Sequence, residues 1–266
     1  MTTPQASDSS VAVTPVGLVA AIGAGVRRAL ALVGETARFI GSVGVACRDV
    51  STWRPQVAAQ ALHLGVGSLP IGLFIAAFTG IVLALLASYS LSGAVPLYFV
   101  GTLVGKTVML ELAPVLTGLA LAGRVGANIA AELGTMRVTE QIDALETLGY
   151  DPLAYLVVPR VIASTVMFPV VVAAAMMMGV LCGWGASGLL LNLASEEFVK
   201  GLRLFFQLFD VRYGLVKSAS FGFAVAMSGA RCGLRAQGGA TGVAAPRRTR
   251  WCCRRSGFSC SMPSGR

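Results

Sequence analysis

Lys106 and Glu111 stand inside the long apolar run between residues 97 and 123, and Lys217 inside the one between 211 and 229. A charge at bilayer depth is costly, so such a residue turns to a partner side chain, a cavity or a neighbouring helix rather than to lipid. On an unbroken helix Thr107 lies one turn before Glu111 on the same face, with Lys106 beside it. Two roles fit Glu111. It lines a pathway for an amphipathic cargo together with Thr107 and Lys106, or it makes a structural hydrogen bond or ion pair between helices.

A second chemically loaded stretch is residues 132–151, ELGTMRVTEQIDALETLGYD. Thr139 is placed to cap a short helix whose early turn holds Glu140, Gln141 and Asp143. Gly149 ends it, and Asp151-Pro152 opens a turn. Ile142, Leu145 and Leu148 form an apolar stripe, and Glu140, Asp143 and Glu146 fall on another face. An amphipathic helix of this kind, with Arg137 just before it, suits a segment seated in a groove of a soluble partner. On periodicity alone an ordinary solvated loop helix fits it better.

The rest of the inventory carries no catalysis. His63 is the only histidine and starts an apolar run, where interfacial packing accounts for it. No Ser/His/Asp, Cys/His or paired-carboxylate set can be assembled, so no catalytic residue is assigned. Residues 101–107, GTLVGKT, fall one residue short of a phosphate loop and lie inside an apolar span, which excludes nucleotide binding there. The six cysteines show no zinc or disulfide spacing, and no metal or cofactor is expected.

These residues must be positioned by membrane helices. Hydrophobic residues make up 55% of 266 and charged residues 12%, against the quarter usual in soluble domains. The long Ala/Leu/Val/Gly runs lack the strict alternation of a β-barrel. The expected class is all-α and polytopic: an N-terminal interfacial helix in 14–50, where Arg27, Arg28, Arg38 and Arg48 recur, then about four spans at 62–87, 97–123, 155–183 and 211–229. Pro70 kinks the first or marks its start. Residues 192–210 read as a short extramembrane helix. Gly101 and Gly105 form G-x-x-x-G, and Gly118 and Gly126 continue a small-residue theme suited to close helix packing, including a dimer seam.

The net charge of +9 belongs to the end of the chain: eight arginines and no acid fall in 231–266, which leaves thirteen basic against twelve acidic residues before it. Nucleic-acid binding is therefore not implied for the body. Residues 1–13 read as disordered, 14–230 as the membrane domain, and 231–266 as a basic disordered tail. The N-terminus carries no convincing signal peptide. Arginines from Arg27 to Arg54 precede the first span and none lies in the 88–96 link, which places the N-terminus and the 124–160 loop in the cytoplasm.

The segments ELAPVLTGLALAGRVGANIAAELGTM (111–136), VTEQIDAL (138–145) and DPLAYLVVPRVIA (151–163) resemble the MlaE/YrbE family, the permease subunits of ABC-type, Mce-associated lipid transporters. LVKSASF and GLRAQGGATGV extend the resemblance, which covers roughly 55–243. It implies a bacterial inner-membrane permease core, homodimeric or paired with a homologous permease, with cytoplasmic ATPase subunits and an MCE-type lipid-binding protein on the outer side. The cargo would be phospholipid, sterol or another envelope lipid. Residues 133–150, with Arg137, Glu140, Gln141, Asp143 and Glu146, become the ATPase-coupling segment, and Glu111 lines the lipid path. ATP hydrolysis would belong to a partner chain.

The resemblance fails after Val243. The family continues into a final span, whereas AAPRRTRWCCRRSGFSCSMPSGR cannot cross a membrane. Its Arg/Ala/Pro/Cys richness is what a GC-rich gene yields out of frame, so a frameshift that removes the last span is expected. A truncated, non-functional permease is the alternative, and a stand-alone secondary transporter or channel a more distant one, since that class shows more intramembrane charge.

Overall fold

The computed structural model describes residues 15–91, 96, 98–191 and 194–236. The expected disordered start (1–13) and the segment after Val243, where a frameshift is expected, lie outside the described residues. Every element among those described is helical. The chain divides into two compact units, residues 1–45 and 46–266.

The first unit supplies one helix, α1 (Pro15–Ala46). Its Gly25–Ala46 portion is long and apolar enough to cross a membrane by length and composition, where an interfacial helix is expected.

The second unit is built from long helices. α2 is Val50–Leu91, with Pro55 and Pro70 both inside it, so Pro70 does not mark a start. α3 (Tyr98–Thr107) passes through a π turn, Val108–Leu112, into α4 (Ala113–Val138). α5 is Gln141–Thr147, and a second π turn, Leu153–Val157, leads into α6 (Val158–Leu191). α7 is Ser195–Leu204 and α8 is Leu208–Leu234. At 1.5 Å per residue α2 is about 63 Å long, twice the roughly 30 Å apolar core of a bilayer.

The second span was expected to end near residue 123, but its helix runs on to Val138. Residues 124–138 lose apolar character without any proline to stop the helix, and Ala, Glu and Leu continue it. Trp53–Ser90, Tyr98–Val138 and Leu153–Leu190 are long and apolar enough to cross. α8 falls below that apolarity because of Asp210, Arg212, Lys217 and its serines and glycines.

Close approaches between helices fix their directions. Gly72 of α2 meets Val171 of α6 and Gly80 meets Gly179, so α2 and α6 run parallel. Gly214, Gly229 and Gly233 of α8 meet Met109, Gly126 and Ala130 in the same order, so α8 runs parallel to α4 for its whole length. Gly67 faces Arg124 and Gly72 faces Thr117, which makes α2 antiparallel to α4. α8 thus traverses the same slab as α4 although its composition is polar. Apart from Asp210 and Met227, its buried face is small: Gly214, Ser218, Gly222, Ala226, Gly229, Ala230 and Gly233.

Packing also moves the tail boundary. A methyl group on Gly229 would stand 2.8 Å from the Gly126 carbonyl, and one on Gly233 2.8 Å from that of Ala130. This contact holds Arg231–Leu234 inside α8, where a disordered tail was expected to begin.

Candidate functional site

Glu111 sits within the π turn, where the Ala113 N–H donates to the Val108 carbonyl five residues back. The turn shifts by one residue the register that sets Thr107 under Glu111. π turns inside α-helices are often found at functional positions. Lys217 Nζ of α8 donates to Glu111 Oε2 at 2.5 Å. The same ammonium stands 5.8 Å from the centre of the Tyr213 ring. Lys106 turns away from Glu111 and pairs with Asp210 of α8 at 3.8 Å. Two oppositely directed ion pairs therefore tie α8 to the α3–α4 helix, one just before the π turn and one within it.

The two pairs differ in exposure. Asp210 is buried, with 7% of its side chain exposed, whereas 57% of the Glu111 side chain is exposed. Thr107 is half-buried beside them. Sequence reasoning placed Lys217 in the last span but missed its partnership with Glu111, and it missed Asp210 entirely. The available signal was charge complementarity between Lys106 and Glu111 on one helix and Asp210 and Lys217 on the other.

The predicted packing glycines face the chain itself. Gly101 lies against the backbone of Phe198 and Gly105 against the Leu202 side chain, both on α7. Gly118 meets Phe221 and Gly126 meets Val225, both on α8. These are intrachain seams rather than the dimer seam considered from sequence.

The α4–α5 corner departs from expectation at its cap. Thr139 ends α4, and its Oγ1 donates to the Thr135 carbonyl at 2.9 Å rather than capping α5. Glu140 takes the N-cap position with φ of 59°, the left-handed region, and no side-chain cap. The stop is as expected: Gly149 has φ of 83° and the Leu153 N–H donates to Asp151 Oδ1 at 2.9 Å. Ile142 is buried, Leu145 half-buried and Leu148 exposed. Arg137 pairs with Asp143 at 2.6 Å, while Glu140, Gln141 and Glu146 are exposed. Because a glutamate in the left-handed region is strained, Glu140→Gly is expected to stabilise this corner by about 1 kcal/mol. A melting temperature lower than wild type would contradict that.

A further ion pair was not foreseen. Arg160, nearly buried at the start of α6, donates from Nη2 to Glu132 Oε2 at 3.1 Å and from Nη1 to the Leu156 carbonyl at 2.8 Å. It joins the far end of α4 to the start of α6 and so braces the corner that carries α5. Among the described residues no three His, Cys, Asp or Glu side chains group as a metal site.

Known proteins place this architecture. Residues 57–249 match the family described as Permease MlaE. A probable ABC transporter permease of Rickettsia typhi is 41% identical over 187 residues, 70% of this chain and 72% of that protein. One from Synechocystis is 40% identical over 190 residues, 71% of this chain and 72% of its own length. The chloroplastic protein trigalactosyldiacylglycerol 1 of Arabidopsis thaliana is 37% identical over 137 residues, 50% of this chain and 38% of its own. With several membrane-length helices, both ion pairs and the α5 corner inside the matched region, this chain is a multi-pass membrane protein and belongs to the MlaE permease family.

Proposed function

We propose that this chain is the membrane permease subunit of an ABC transporter that moves phospholipid, sterol or another envelope lipid, energised by a separate cytoplasmic ATPase subunit. The observation that carries the proposal is α5: a short helix at the tip of the α4–α6 hairpin, anchored by Ile142 and presenting Glu140, Gln141, Asp143 and Glu146 to solvent. The names of the relatives, probable ABC transporter permeases, support the class. One relative bears the name of a galactolipid, which supports a lipid cargo.

In this reading the ATPase pushes on α5, the Glu132–Arg160 pair passes the movement to α4 and α6, and the Glu111–Lys217 pair lies on the lipid path. A half-exposed ion pair at membrane depth is favourable only where a cavity or a second permease covers it. The partners are then a second copy or homologous permease, the ATPase, and an MCE-type lipid-binding protein at the opposite end. The membrane is the bacterial inner membrane with the N-terminus in the cytoplasm.

Charge reversal of Glu140 together with Asp143 is expected to abolish co-purification of the ATPase subunit while membrane insertion is kept. Since reversal at Asp143 also breaks its contact with Arg137, Arg137→Ala serves as the control and should retain binding better than the double reversal. Undiminished pull-down by the double reversal would refute the assignment.

A further inference from the structure

A separate polar groove opens between α2 and α4, at the end of the bundle that carries α5. Its volume is about 520 Å³, and His63, Gly67, Ser68, Arg124, Asn128 and Glu132 line it with Leu62 and Val66. The groove arises from two helical ladders. His63 and Gly67 stand one turn apart on α2, and Arg124, Asn128 and Glu132 stand one turn apart on α4. Gly67 lets the guanidinium lie close over α2: a methyl group there would stand 3.1 Å from Arg124 Nη2.

The charges in the groove do not cancel. Glu132 is already engaged, by Arg160 at 3.1 Å and by Asn128 Nδ2 at 3.2 Å. Arg124 is exposed and makes no ion pair among the described residues. It offers a planar fork of donors, Asn128 a second amide N–H, and His63 an imidazole. A guanidinium fork with flanking neutral donors matches a phosphate oxyanion.

The depth and walls select the kind of phosphate. Arg124 is the first charge after the apolar run 112–123 of the α4 span, and His63 immediately precedes the apolar run 64–87 of α2. Both helices therefore change from polar to apolar at this groove, which is where lipid headgroups lie. Leu62 and Val66, one turn apart beside the donors, are 65% and 59% exposed. Such a wall suits an acyl chain and serves no purpose for a free ion.

We infer that this groove is a binding site for a phosphate-bearing lipid headgroup, with Arg124 as its principal ligand and Asn128 and His63 as secondary donors. The site is distinct from the Glu111–Lys217 pair and does not depend on the transport role proposed for it.

The test uses the full chain purified in a neutral maltoside detergent, with thermal stability followed during titration. The probes are dioctanoyl phosphatidylglycerol, dioctanoylglycerol and inorganic phosphate. Phosphatidylglycerol is expected to raise the melting temperature saturably, with dioctanoylglycerol inactive. Arg124→Gln should weaken the apparent affinity at least tenfold, and Asn128→Leu less. Gly67→Leu, which fills the groove without removing a charge, should weaken it as Arg124→Gln does and covers the case of a poorly folding arginine variant. Inorganic phosphate acting as strongly, with the same dependence on Arg124, would keep the oxyanion site but overturn its lipid occupant. Equal stabilisation by dioctanoylglycerol, no stabilisation at all, or an effect lost in Lys217→Gln and kept in Arg124→Gln would each overturn the site.

Discussion

A valine at Gly80 is expected to prevent α2 and α6 from closing on one another. A side-chain carbon at Gly80 would fall on the Gly179 carbonyl oxygen. That obstacle is backbone and cannot rotate away. The contact is reciprocal, since a methyl on Gly179 would lie 3.2 Å from the Ala76 carbonyl and one on Gly183 3.2 Å from that of Gly80. Among the described residues α2 and α6 form the most extensive helix pair, and close backbone approach through small residues is what holds membrane helices together. Overpacking commonly costs about 1–3 kcal/mol, and a clash against backbone lies at or beyond the upper end. Against a total stability of roughly 5–15 kcal/mol that is enough to deplete folded protein. Gly123→Val is the control: its position on α4 has nothing within 4 Å. The monodisperse fraction surviving a heat step in detergent should fall sharply for Gly80→Val and little for Gly123→Val. Equal survival would show that the α2–α6 seam is looser than these contacts require.

The all-α class and the approximate spans could be read from the sequence because a bilayer demands long apolar runs and little else. Gly149 and Asp151-Pro152 were legible for a similar reason, since their turn chemistry is local. Where the helix beginning at Tyr98 ends was not. Its last fifteen residues are amphipathic, so hydropathy marks the end of the apolar slab and not of the helix. Thr139 failed as a cap because its hydroxyl had a second choice, the carbonyl one turn back, which local preference does not exclude. The glycines of α3 and α4 signal close packing without naming the partner, and α7 and α8 of the same chain turn out to occupy them. The site shows the same limit. Glu111 stood out as an intramembrane acid, but Lys217, 106 residues away, was assigned to it only once α8 was seen to run alongside α4. Glu132 sits in a segment read as a loop, and Arg160 where that segment overlaps the expected span 155–183, so neither charge named its partner.

Exchanging the charges of Glu111 and Lys217 separates the two roles that fit this pair. Glu111→Lys alone places two ammonium groups where one ion pair stood and is expected to reduce both assembly and lipid transport, the latter by tenfold or more. Lys217→Glu alone should do the same with two carboxylates. The double exchange restores opposite charges across the same contact. Coupling between residues in contact typically lies within 0.5–3 kcal/mol. More than half of the Glu111 side chain is exposed, so screening brings the expected value to about 1 kcal/mol. That is enough for the exchanged chain to regain most of its folded yield, because the Lys106–Asp210 pair and the small face of α8 are untouched. Transport should not recover in parallel. A path for an amphipathic cargo depends on which side carries the carboxylate and on the more exposed partner, which is Glu111 in the natural arrangement and would be a lysine in the exchanged one. Glu111→Leu makes the same point without reversal, and should impair transport more than assembly while Glu111→Gln falls between. Lipid transfer by the reconstituted transporter, measured beside the yield of assembled complex for all five variants, gives the answer. Full recovery of transport in the double exchange would reduce the pair to a brace between α8 and the α3–α4 helix, and would move the lipid path elsewhere.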